Sequence, residues 1–175
     1  MRKYLMPDYM FDRFDEITPA FLKKIGVRGL IIDIDNTLVT YDDVEPPSAV
    51  REWFGQLSDA GISAALVSNN TPYRVEAFNK TLRLPAYPDS KKPSVRSLLS
   101  AMKAMGTTHE ETAMLGDQLL TDVWAAKRLG LCAIVVPPIK DKRTLLFRVK
   151  RMIERPYIRR FKKAEHQSKA LRKEK

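Results

Sequence analysis

Along the chain, short and largely apolar runs alternate with longer segments whose apolar positions recur at helical spacing. Gly29–Ile32, Ile62–Val67, Thr112–Leu115 and Leu131–Val136 have strand length, and Ala86-Tyr87 reads as a shorter strand. Between them, Pro46–Ala60 predicts a helix with Val50, Trp53, Phe54 and Leu57 on one face, closed by Gly61. Thr18-Pro19 opens a short helix that Gly26 can end, and Thr71-Pro72 opens another running to about Lys80. Pro93–Met105 predicts a helix with Val95, Leu98, Leu99, Met102 and Met105 turned inward, and Leu120–Leu129 predicts a last one stopped by Gly130. Continuous rather than alternating apolar strands fit a sheet covered on both faces. Strands separated by helices imply parallel β-α units with right-handed crossovers. The pattern therefore predicts a doubly wound α/β fold, a three-layer α/β/α sandwich around a mainly parallel five-stranded sheet.

The polar residues that interrupt this pattern stand at the ends of the strands. Asp33-Ile34-Asp35-Asn36-Thr37 follows the first strand, Ser68-Asn69-Asn70 the second, Lys91-Lys92-Pro93 the third, and Gly116-Asp117 the fourth, with Asp122 five residues later. Carboxylates cannot remain unpaired in a core without a cost of several kcal/mol or protonation. Asp33 and Asp35 must therefore emerge at the strand's C-terminal end, where open α/β sheets bind ligands. Taken singly, each cluster has a plainer reading: Asp-x-Asp as a turn with a helix cap, Ser68-Asn69 as a cap, Asp122 as a charge favourable to a helix N-terminus. In a parallel sheet, however, all these strand ends lie on one edge, so the clusters converge.

Composition adds two constraints. Cys132 is the one cysteine, in an apolar run, and reads as a small core residue. No stretch approaches the roughly 20 apolar residues of a membrane span, and no apolar segment follows Arg2-Lys3, so neither spanning nor secretion is expected. The net charge of +10 is segregated: residues 140–175 hold 15 Lys/Arg against 4 Asp/Glu, whereas residues 1–139 hold 16 against 17. Three parts follow: an N-terminal segment over 1–27 that packs on the domain or on a membrane interface, a near-neutral globular domain over 28–139, and a basic tail over 140–175. Within the tail, Leu145, Leu146, Val149, Met152 and Ile153 form an apolar stripe, Arg148, Lys150, Arg151 and Arg155 occupy the remaining surface, and Pro156 is expected to interrupt the helix. Such a helix suits either a lipid interface or the sheet, and the charge suits a polyanionic surface, either membrane or nucleic acid. A solubilising tail is the plainer alternative.

In this order, Asp-x-Asp-x-Thr, Ser/Asn, Lys-Pro and Gly-Asp-x-x-x-x-Asp resemble the haloacid dehalogenase (HAD) superfamily of aspartate-nucleophile phosphohydrolases over roughly residues 28–136. The resemblance implies that Asp33 attacks phosphorus, that Asp35 protonates the leaving oxygen and activates water, and that Lys92 neutralises charge, with Lys91 as its possible substitute. It implies that Ser68, Asn69 and Thr37 contact substrate, with the Asn69 backbone N–H near the phosphoryl group. It also implies that Mg²⁺ is held by Asp33, Asp35 (through its carbonyl), Asp117 and Asp122, the last through water or by orienting the lysine. Gly116 would allow close approach to the metal. An aspartate at position 35, where phosphoryl-holding relatives commonly carry threonine, favours a phosphatase.

The spacing also leaves no room for a sizeable cap domain: 30 residues separate Asp35 from Ala65 and 20 lie between Asn70 and Lys91. Gly29–Leu38, Ser68-Asn69-Asn70, Lys92-Pro93, Gly116–Asp122 and Pro7-Asp8 are similar to the capless YqeG-type group, related to mitochondrial phosphatidylglycerophosphate phosphatases. This resemblance implies a phosphorylated lipid headgroup as substrate and an anionic membrane surface as partner, at the cytoplasmic face. The alternatives are a phosphatase of nucleic-acid ends or nucleotides, and a non-enzymatic RNA- or ribosome-associated module.

Overall fold

The computed structural model describes residues 2–140, together with 152, 154, 156–159 and 161. Its centre is one parallel sheet of six strands in the order β1-β6-β5-β2-β3-β4. The strands are β1 (Tyr9–Met10), β2 (Gly29–Ile32), β3 (Ser63–Val67), β4 (Ala86–Tyr87), β5 (Thr112–Gly116) and β6 (Cys132–Val135). The helices are α1 (Pro19–Lys24), α2 (Ser48–Asp59), α3 (Pro72–Asn79), α4 (Arg96–Met105) and α5 (Trp124–Arg128).

The sixth strand is the one that periodicity missed. Tyr9 and Met10 pair in parallel with Ile134 and Val135 at the sheet edge, and two residues are too few to show any period. Asp8 extends this pairing: its backbone N–H donates to Ala133 O at 2.8 Å, and its carboxylate accepts from Ala133 N and Lys127 Nζ.

Alternate residues of the central strands face opposite layers, which is why both must be apolar. Leu30 and Ile32 of β2 and Leu66 of β3 pack with α1, α2 and α3 through Leu22, Val50, Trp53, Leu57, Val75 and Phe78. Ile31 of β2, Ala65 and Val67 of β3 and Met114 of β5 pack on the other side with Leu98, Ala101 and Met102 of α4 and Ala125 and Ala126 of α5. Leu5, Ile17, Leu22 and Val27 from the first 27 residues are all buried in these two layers. Trp53 anchors that segment further by donating its indole N–H to Ile17 O at 3.0 Å.

Several predicted boundaries shift. The helix expected from Pro46 begins at Ser48, and the one expected from Pro93 begins at Arg96, because Lys91–Ser94 forms a turn in which Ser94 N donates to Lys91 O. Leu99, expected inward, is 44% exposed, and Ala101 takes the buried position on α4 instead. The helix expected over Leu120–Leu129 is a π-helical turn at Leu119–Val123 followed by the short α5. In the tail, most of the expected amphipathic helix lies outside the described residues. Of its apolar stripe, Met152 is exposed, whereas Glu154, assigned to no face, is buried. Pro156 is itself helical, as are Tyr157, Ile158 and Arg159, and Tyr157 and Ile158 pack against the α4/α5 layer.

Candidate active site

The chain order of the sheet reverses at β2, and the loops leaving β2, β3 and β5 open on the same edge. Asp33 continues the ladder for one residue, its N–H donating to Leu115 O at 2.9 Å, and the chain then turns sharply. Asn36 makes that turn in the left-handed region at φ 68° and is fully buried. Its N–H donates to Val39 O, and its carbonyl and side-chain oxygen accept from the N–H groups of Ile139 and Lys140. The Asp-x-Asp loop is thereby tied to the segment after β6.

Lys92 is the hub. Its ammonium lies 2.7 Å from Asp33 Oδ1, 2.7 Å from Asp122 Oδ1 and 2.8 Å from Val67 O, with its side chain only 1% exposed. Lys91 is exposed, so Lys92 is the lysine that enters the cluster. Burial alone would make Lys92 easier to deprotonate, but Asp122 and Asp33 outweigh it and hold the amine firmly protonated. Asp33 moves the other way: burial, against the pull of Lys92 and with Asp122 adding repulsion, raises its pKa from 3.8 to about 7 in the metal-free protein. Tyr41, lining the same pocket, is pushed upward by burial and then by Asp117, Asp33, Asp35 and Asp122, so its phenol stays protonated.

Among the described residues, four carboxyl groups thus share the region with Lys92 and Arg74, a surplus of acidic over basic side chains. Asp33, Asp117 and Asp122 each offer an oxygen, all within 4.8 Å of one another. Hard oxygen donors and an acidic surplus suit Mg²⁺. Asp122 has prior commitments, however. One of its oxygens pairs with Lys92 and the other accepts the Gln118 N–H at 3.1 Å, so it is better placed to hold the lysine than to ligate directly.

Gly116 has a steric purpose that its spacing did not show. A Cβ there would strike the Asp122 carboxylate, so the glycine makes room for Asp122.

The predicted substrate contacts also divide. The Ser68 hydroxyl lines the pocket and accepts the Asn70 N–H at 3.1 Å. The Asn69 side chain braces the lysine loop: its oxygen accepts from Lys92 N at 2.6 Å and Ser90 Oγ at 2.8 Å, and its nitrogen donates to Lys92 O at 3.2 Å. Thr37 is buried beneath the pocket and donates to Asp33 Oδ2 at 3.4 Å, a role in orienting that carboxylate.

Four residues outside the predicted set, Tyr41, Asn70, Gln118 and Thr121, complete the cavity of about 230 Å³, whose lining includes Asp33, Asp35, Ser68, Asn69 and Lys92. Asn70 Nδ2 donates to Asp35 Oδ2 at 2.9 Å, and Gln118 and Thr121 also line the cavity. Behind them, Arg74 donates to Asp35 Oδ1 through Nε at 3.2 Å and Nη2 at 2.9 Å. Asn70 adjoined a recognised pair and could have been named, whereas Arg74 lies one turn into a helix with no motif to mark it.

Such a sheet edge, with an Asp-x-Asp loop, a buried lysine and acidic residues converging on one cavity, defines a phosphohydrolase-type α/β fold. Comparison with known proteins agrees: the family model described as HAD-hyrolase-like matches residues 90–150. The chain is 34% identical to the probable phosphatase YqeG of Bacillus subtilis, over 95% of this chain and 96% of that one. It therefore belongs to the HAD superfamily of phosphatases, in the YqeG family.

It is also 29% identical to the glyceraldehyde 3-phosphate phosphatase of Pyrococcus furiosus, over 71% of this chain but 53% of that protein. Among solved structures, it resembles an uncharacterized protein from Listeria monocytogenes serotype 4b (TM-score 0.52, 20% identity, 67% of this chain and 85% of that one). It likewise resembles CbbY from Rhodobacter sphaeroides in complex with phosphate (TM-score 0.51, 14% identity, 65% and 87%). These two structural likenesses concern the fold.

Proposed function

We propose that the chain is a Mg²⁺-dependent phosphate monoester hydrolase working through an aspartyl-phosphate on Asp33. Its proposed substrate is phosphatidylglycerophosphate, converted to phosphatidylglycerol at the inner membrane surface. The observation that carries the chemistry is the buried contact of Lys92 with both Asp33 and Asp122, beside Asp117. Asp33, Asp117 and the Asp35 carbonyl would hold Mg²⁺, with Asp122 joining through water. When bound, the ion supplies positive charge that lets an anionic carboxylate approach an anionic phosphoryl group.

An Asp33 oxygen forms the new bond to phosphorus as the ester P–O bond breaks, and the leaving oxygen takes the Asp35 proton. Asp35 then accepts a proton from water as that water attacks phosphorus, which releases phosphate and restores the Asp33 carboxylate. Lys92 remains protonated throughout and balances charge on the nucleophile and phosphoryl oxygens. Ser68 offers a hydroxyl on the pocket wall for a phosphoryl oxygen.

Support for a large, surface-borne substrate comes from the shape of the entrance. Only loop joins β2 to α2, and a single helix and loops join β3 to β4, so no inserted domain covers the cavity. The basic residues after 140 support an anionic surface as the setting, each engaged Lys/Arg contributing about 1 kcal/mol near an anionic leaflet. The test is phosphate release with Mg²⁺ across phosphatidylglycerophosphate, phosphatidic acid, nucleotides and 3′- or 5′-phosphorylated oligonucleotides. Fastest turnover of phosphatidylglycerophosphate, lost with a chelator and restored by Mg²⁺, is the expected result. Preference for an oligonucleotide end would overturn the lipid assignment.

A further inference from the structure

The lining of the catalytic cavity divides by depth. Asp33, Asp35, Ser68, Lys92, Thr121 and Asp122 are buried and form its floor. Tyr41, Asn70 and Gln118 are half-buried and Asn69 is exposed, so these side chains border the opening. With Asp33 attacking from the floor, the leaving oxygen stands on the far side of phosphorus, because attacking and leaving oxygens lie roughly in line. The alcohol of the substrate therefore meets the rim.

The rim consists of three carboxamides and a phenol, groups that are neutral at physiological pH. Such groups suit a hydroxyl, which can both donate and accept a hydrogen bond. The three amides differ in what is already committed. Asn69 gives its oxygen to Lys92 N and Ser90 Oγ and its nitrogen to Lys92 O. Asn70 directs its nitrogen to Asp35, and its oxygen accepts the Thr71 N–H at 2.8 Å. Gln118 sets its amide nitrogen toward Asp117 Oδ1 at 3.5 Å, and among the described residues its Oε1 accepts no hydrogen bond. Its backbone is nevertheless fixed: the N–H donates to Asp122 Oδ2 at 3.1 Å, and the carbonyl accepts from Asp122 N and Val123 N. An amide oxygen on a fixed stem at the mouth is an acceptor for a hydroxyl proton.

We propose that Gln118 is a specificity-determining residue whose Oε1 accepts a hydrogen bond from a hydroxyl of the leaving alcohol. The site then favours phosphate monoesters of polyols over those of simple alkanols. This rests on the hydrolase reading with Asp33 as nucleophile, and not on which molecule carries the polyol. The Gln118 amide transfers no proton and forms no covalent bond; it orients the alcohol.

Glycerol 3-phosphate and propyl phosphate share a three-carbon chain and differ only in hydroxyl groups, so the pair isolates this contact. Calorimetry on the Asp33→Asn protein with Mg²⁺ measures their binding without turnover. Glycerol 3-phosphate is expected to bind about five- to tenfold tighter, the range of one net hydrogen bond. Adding Gln118→Ala, which keeps the backbone bonds to Asp122, should bring that ratio to about one. Gln118→Leu, which keeps the bulk but no acceptor, should do the same. With Asp33 intact, the ratio of kcat/KM for the two probes should fall by the same factor in both variants. Inorganic phosphate, which has no alcohol, is the reference ligand. If Gln118→Ala weakens it as much as glycerol 3-phosphate, the amide acts through Asp117 and the inference is overturned. An unchanged ratio, or wild-type protein that binds and turns over both esters alike, overturns it too while leaving the hydrolase reading intact. A binding preference that depends on Gln118 in a protein that turns over neither ester would support Gln118 as the reader and count against the hydrolase reading instead.

Discussion

Asp33 concentrates the conflict between stability and chemistry in a single side chain. Burial makes it a neutral acid up to about pH 7, whereas the same group in the unfolded chain ionises near 3.8. Between those values the unfolded state has released a proton that the folded state keeps, so this carboxylate lowers the stability of the metal-free fold as pH rises. Asp33→Asn should therefore abolish turnover, by at least about 10³-fold, and raise metal-free stability at pH 8 by about 1–3 kcal/mol, with a smaller gain at pH 5. Thermal unfolding in chelator at the two pH values measures this. An unchanged melting temperature would mean that Lys92 compensates the charge fully. Motif residues such as Asp33 and Lys92 stand at strand ends, where position in the sequence and position in the fold coincide. Arg74 reaches the site only because α3 turns it back across the loop that leaves β2, toward Asp35 and the Thr40 and Val44 carbonyls. No spacing rule encodes that.

At the scale of elements, the π-helical turn Leu119–Val123 decides how the acidic residues meet. Its wider winding follows the bend at Asp117, and Asp122 N and Val123 N both donate to Gln118 O. This brings Asp122 back over Gly116, against Lys92. An α-helical reading of Leu120–Leu129 sees only an acid near a helix start, because apolar period alone does not distinguish the two windings over one turn. Glu154 supports the turn from the tail, its carboxylate accepting the Leu120 N–H at 3.2 Å while buried. Gly116→Ala should displace the Asp122 carboxylate and loosen Lys92, lowering kcat by about 10²-fold or more while the fold persists. Circular dichroism beside steady-state kinetics checks both halves of that expectation, and undiminished kcat would remove Asp122 from the lysine's support.

For the whole molecule, the near-neutral body and basic tail predict a separable effect. Residues 162–175 hold 6 Lys/Arg against 2 Asp/Glu and lie beyond Tyr157 and Ile158, which pack on the domain. Deleting 162–175 should weaken cosedimentation with anionic vesicles, and raised salt should weaken it for the full chain too, since surface attraction is screened over about 8–10 Å. Hydrolysis of a small soluble ester should remain. Equal loss of both would make the tail a structural part of the domain. RNA retention without vesicle binding would redirect the basic segment to nucleic acid.

The sequence by itself determined the layered parallel sheet, because two-sided burial demands continuous apolar strands and glycine or proline punctuates their crossovers. It also determined which edge carries the polar clusters, since charge is tolerated only where strands end. Tertiary structure alone decided the two-residue β1, the winding at Leu119–Val123, the outward turn of Leu99 and the arrival of Arg74. Those features depend on distances between segments far apart in the chain, and local periodicity holds no information about such distances.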